Sequence, residues 1–225
     1  ECVRPGDKTN FDAATMPLQL VRTNSTTFTL SQVAWEGAQV GSTVVDGTNP
    51  QSSFVGKTIN KMVFFRNRLV MLSDENVIMS RPGNFFNFWA KTAQTFSNID
   101  PIDLSCSSTY PAIVFDAIQV NTGLVIFTKN QQFMLTTDSD VLNPNTAKIN
   151  RLSSYNFNHK TNPVNLGTTV GFLDNANKLS APVEDSKRSE GNGKYKGYGS
   201  LHDMLIGLVK DTKFKMADFK KLLKK

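Results

Sequence analysis

Asp100 and Asp103 are the residues whose type and spacing first suggest chemistry in this 225-residue chain. Two carboxylates facing each other across a sugar hydrolyse a glycosidic bond, one as acid and the other as base or nucleophile. Here the pair brackets Pro101 and Ile102. Aspartates at such a corner are better explained as turn caps, their oxygens accepting backbone N–H groups. Asp138 and Asp140 resemble the opening of a calcium loop, but the glycine and distal glutamate that complete one are absent, so a solvated loop is expected. His159 and His202 have no Cys or His at ligand spacing, and no Ser lies in a nucleophile-elbow pattern. Gly191-Asn192-Gly193 lacks the preceding strand that a phosphate loop needs. Arg66, Arg68 and Arg81 could touch phosphate, yet arginines at strand corners bond carbonyls or carboxylates, and Arg66 and Arg68 are expected to fix the corner between them. No catalytic, cofactor-binding or metal-binding residue is assigned, and no enzyme is expected.

The elements that must position these residues are short strands. Apolar runs Met62–Phe65 and Leu69–Leu72 meet at Arg66-Asn67-Arg68, and a third, Val77–Ser80, follows the corner Ser73-Asp74-Glu75-Asn76. Further strands are expected at Thr26–Leu30, Ala112–Val120, Leu124–Thr128, Gln132–Thr137, Ala147–Leu152 and Val170–Leu173. Residues 1–25 read as loop and extended chain, residues 41–57 as a turn-rich loop, and Asp100–Asp103 as a tight corner. Strands at this spacing suggest a sandwich, barrel or propeller, and two similar meanders hint at repeated blades. The rings of Phe85, Phe86, Phe88 and Trp89 would be a liability if all faced water, so they are expected to cap a core or fill an interface. Phe counts 16 in all, and its strand preference adds to a mainly β class with antiparallel meanders and propeller-like blades.

Charge divides the chain. Residues 184–225 carry 11 Lys and Arg against 6 Asp and Glu, net +5 of the total +6, which leaves the body nearly neutral. Three parts follow: a β-rich body over 1–183, a charged, Gly-rich linker over 184–199, and a basic amphipathic helix over 200–225. Leu201, Met204, Leu205, Leu208, Val209, Met216, Phe219, Leu222 and Leu223 share one helical face, which is expected to dock on the protein itself or on a neighbour. Lys210, Lys213, Lys220, Lys221 and Lys224 lie mostly on the other and are the candidate contacts to nucleic acid or a partner, with membrane contact a lesser alternative. Cys2 and Cys106 read as reduced thiols rather than a disulfide framework. No run of about 18 apolar residues predicts a transmembrane helix, and no signal peptide is visible.

Several ordered blocks carry a resemblance. They are Gly47-Thr48-Asn49-Pro50 with Ser53-Phe54-Val55-Gly56, Val63–Leu69, Glu75–Arg81, Phe85-Phe86-Asn87-Phe88, Asp100–Asp103, and Gln132-Phe133 with Leu135. Over roughly Met16–Ser180 the chain resembles the central part of the nozzle proteins (tail tubular protein B) of T7-like short-tailed bacteriophages. The resemblance implies a non-enzymatic virion protein without a cofactor, assembled in the host cytoplasm. It also implies a self-assembled six-fold ring below a tail adaptor ring, with tail fibre proteins as neighbours. Such a ring conducts genomic DNA during ejection with transient, non-sequence-specific contact. Proteins of that family are several times longer, so a fragment or split product is expected, and a fragment could not close a propeller alone. Residues after Ser180 match nothing in it. The alternative from the residues themselves is a β-rich binding module for a host-surface glycan or receptor.

Overall fold

The computed structural model describes residues 3, 5–43, 47–109, 111–139, 141–167, 169–174 and 179–180. The expected linker and amphipathic helix lie outside these residues, as do Cys2, Asp140, His202 and the five lysines of the helix. The described chain is mainly β, with thirteen strands, antiparallel strand pairing throughout and no helix. A hairpin of β1 (Leu18–Arg22) and β2 (Phe28–Gln32) comes first. Sheet one follows, in the order β3 (Ile59–Phe65), β4 (Arg68–Ser73), β5 (Asn76–Met79), β6 (Ile102–Ser105). Sheet two repeats that order with β7 (Val114–Gln119), β8 (Leu124–Thr128), β9 (Gln132–Thr137) and β10 (Ala147–Ser153). A three-stranded sheet of β11 (Val164–Asn165), β12 (Val170–Leu173) and β13 (Leu179–Ser180) ends the described fold.

The apolar runs are continuous because the inner strands are buried on both faces. Successive side chains of a strand point to opposite sides. In β4, Val70 and Leu72 enter a central cluster while Leu69 and Met71 enter a second. In β8, Leu124 and Ile126 enter the central cluster while Val125 and Phe127 enter a third, with Phe157 and Phe172. The result is a stack: an aromatic layer, sheet one, the shared core, sheet two, a further core, and the small third sheet. The two large sheets lie in register by strand order, β3 against β7 and β6 against β10. Asn60 Nδ2 donates to the Val114 carbonyl at 2.8 Å, and Lys61 pairs with the mostly buried Asp116 at 3.0 Å. The crossing between sheets is pinned on the β4–β5 turn. Cys106 N donates to the Glu75 carbonyl and Val114 N to that of Asp74, at 2.8 and 2.7 Å.

Two assignments from sequence need correction. Asp100–Asp103 is a corner only at its start, because Ile102–Ser105 pairs with β5 as the fourth strand of sheet one. Residues 1–25 contain strand β1, whose partner β2 begins at Phe28 rather than Thr26 because Asn24–Thr27 form the turn. β1 is exposed along most of its length, so little burial pattern marks it.

Candidate assembly site

Arg68 is the organising side chain at one end of the stack. It opens β4 directly after the two-residue turn Arg66-Asn67, whose φ values of 44° and 60° are both left-handed. Such a turn matches the twist of the flanking strands and normally favours Asn or Gly. Arg66 accepts the conformation while its guanidinium lies over the Phe65 ring at 5.7 Å. Arg68 itself is 1% exposed. Its Nη1 donates to the carbonyls of Ser80 and Asp100 at 2.8 and 2.7 Å, and its Nη2 to those of Asn98 and Leu142 at 3.2 and 3.3 Å. One cation thus ties the end of β5, the β5–β6 connection and the β9–β10 loop together. Burial pushes its pKa down to about 10, partly offset by Asp100, so it remains charged at neutral pH. With four N–H groups committed to carbonyls, it is not presented to a phosphate.

Asp100 completes this knot. Its Oδ1 accepts from Lys91 N at 2.8 Å and its Oδ2 from Ser97 N at 2.7 Å, which folds the β5–β6 connection back on itself. Asp103 accepts from Ser53 N at 2.8 Å and so anchors a different loop. Each carboxylate serves a separate backbone segment. Beside the knot opens a cleft of about 670 Å3, lined by Arg66, Arg68, Asn98, Ile99, Asp138 and Val141 among others. Asp138 pairs with Lys148, and His159 stacks on Phe115 at 4.8 Å. Among the described residues no group of three or more His, Cys, Asp or Glu could hold a metal ion.

The aromatic run divides by position. Phe88 and Trp89 are buried, Phe85 is half-buried and Phe86 is 38% exposed. Trp89 stacks on Phe11 with centroids 5.1 Å apart, and its Nε1 donates to the Glu36 carbonyl at 2.9 Å. Phe88 meets Phe54 edge-on at 5.3 Å. Residues far away in sequence hold this layer down. The Glu36 carboxylate accepts from Asn84 and Asn87 Nδ2 at 2.7 and 2.6 Å, and Asn49 Oδ1 accepts from Ala90 N at 3.0 Å. Glu36 and Phe11 escaped the sequence reading, since no local spacing links them to residues 84–90. Asn49 stood in one of the resemblance blocks, with no role attached.

Comparison with known proteins gives this scaffold its context. The tail tubular protein gp12 of Escherichia phage T7 is 37% identical over 158 residues, which is 70% of this chain and 19% of that protein's length. The family model described as bacteriophage nozzle protein matches residues 1–187, wider at both ends than the resemblance read from the blocks. The chain therefore belongs to the bacteriophage nozzle protein family.

Proposed function

We propose that this chain forms part of a ring-shaped tail nozzle through which phage DNA leaves the virion. The observation that carries the reading is the family match over residues 1–187. Membership makes the chain a structural component of a phage tail, hence of the virion. Two four-stranded antiparallel sheets stacked in the same strand order support a reading as neighbouring propeller blades. Ring closure from six copies, contact with an adaptor ring and fibres, and a mechanical rather than enzymatic role follow from the family reading.

The charge distribution is compatible with passage rather than capture. Each fixed Lys–phosphate contact adds affinity through counterion release. A body carrying about +1 of the net +6 offers DNA little to hold. In this reading the lysines of residues 200–225 contact a partner or the DNA. The test is negative-stain electron microscopy of the purified chain with mass measured by light scattering. Rings with a central channel are the expected result, and a monomer at every concentration would overturn self-assembly of this chain.

A further inference from the structure

We infer that the β1–β2 hairpin is an arm by which one copy of this chain grips the next, with the Met62–Phe64 edge of sheet one as its receptor. The inference rests on the ring reading above and names the surfaces that would close the ring. The hairpin register places Leu20 opposite Leu30 and Arg22 opposite Phe28, so Leu18, Leu20, Phe28 and Leu30 share one face. They are 52, 66, 57 and 62% exposed. The hairpin is nonetheless well formed. Asn24 Oδ1 accepts from Thr26 and Thr27 N at 3.0 and 2.8 Å, and Arg22 donates to the Asn24 and Ser25 carbonyls at 2.9 and 2.8 Å. Its base is fixed by Met16 and Val33, both buried. Neither outer edge pairs with another described strand, and a two-stranded hairpin is marginal by itself.

The areas point to a protein-sized occupant. A large apolar side chain carries on the order of 150–250 Å2, so these four leave roughly 350–600 Å2 bare, as much as the largest patch of a typical monomer. The receptor is the edge strand β3, where Met62 and Phe64 lie on one face, 45 and 63% exposed. Phe85 braces Phe64 edge-on at 5.2 Å, so the strip is held in place. Arm and strip together supply roughly 500–850 Å2 of apolar surface. Interfaces are a little over half apolar, so the total is on the order of 900–1,500 Å2, the size of a small specific contact. Arm and strip are different surfaces of the same chain. Their contact is head to tail, the kind that closes rings, whereas arm against arm would stop at a dimer.

Complementation tests this. Light scattering would follow the full chain as wild type, as an arm variant (Leu20→Glu with Leu30→Glu) and as a strip variant (Phe64→Glu, with Met62→Glu as the alternative). Thermal melting checks that each is folded. The expected result is an assembled wild type, a monomer for each variant alone, and a dimer when the two are mixed, since one intact arm then meets one intact strip. A monomeric wild type overturns the ring reading and this inference together. An assembled wild type with an equally assembled arm variant overturns the inference alone. Folded, monomeric variants that give no dimer on mixing overturn the pairing of arm with strip.

Discussion

Arg68 and Asp100 are joined through the main chain rather than as an ion pair: Arg68 Nη1 donates to the Asp100 carbonyl at 2.7 Å, while both carboxylate oxygens of Asp100 accept from the backbone of Lys91 and Ser97. The cation therefore reads the shape of a loop that the carboxylate has folded. Losing either residue should free the same connection, but by different routes.

Arg68→Met keeps much of the buried volume and removes the donors. Each of the four carbonyls left without a partner costs about 1–3 kcal/mol, so a total loss of about 4 kcal/mol or more is expected. Arg68→Lys should recover part of that, because an ammonium has three donors but not the planar fork that spans four acceptors. Urea unfolding measures both, and a loss under about 1 kcal/mol for Arg68→Met would show that the knot closes without its cation.

How much of this was legible varies by element. β8, β9 and β12 are readable to the residue, because their apolar runs are bounded by polar corners and buried on one or both faces. β6 was hidden because its pairing with β5 spans the aromatic loop, a non-local event that no short window registers. Arg68 stood out as a corner arginine, but its four acceptors come from segments up to 74 residues away. Glu36 gave no signal at all, since its partners Asn84 and Asn87 are 48 and 51 residues distant. Local chemistry thus announced the strands, and tertiary closure decided which side chains hold the loops.

Trp89 separates packing from hydrogen bonding. Trp89→Ala removes the ring stacked on Phe11 and should cost about 3–5 kcal/mol. Trp89→Phe keeps an aromatic ring but leaves the Glu36 carbonyl without its donor, for a smaller loss of about 1–3 kcal/mol. Denaturant midpoints for the two variants give the comparison. Equal losses would mean that the hydrogen bond, not the stack, anchors the aromatic layer.

Gly123 is needed for close approach rather than for unusual backbone angles. A Cβ there would sit far inside the contact distance of the Leu135 carbonyl oxygen, with Met134 Sδ at 3.3 Å behind it. The obstructing atom is backbone, so β8 and β9 would have to separate locally. Gly123→Ala should destabilise by about 1–3 kcal/mol as an overpacked site. A neutral or stabilising result in thermal melts would show that the β8–β9 ladder yields at this point.

Cys106 gives a pH signature. It is buried where the chain crosses between the large sheets, and burial, reinforced by the negative charge of Glu75, pushes its thiol from 9.0 up to about 12. In the unfolded chain the thiol loses its proton above about pH 9, whereas the folded protein keeps it until about 12. The native state therefore binds more protons across that window. This contribution to stability is fully present below about pH 9 and is lost as pH rises towards 12, at up to about 1.4 kcal/mol per pH unit. Cys106→Ala should lower stability at pH 7 through lost packing and flatten the alkaline decline relative to wild type. In a Cys2→Ser background the native thiol should resist iodoacetamide at pH 8 and react once urea unfolds the chain. Rapid alkylation of the folded protein, or the same alkaline slope in Cys106→Ala, would mean that the crossing between the sheets opens to solvent.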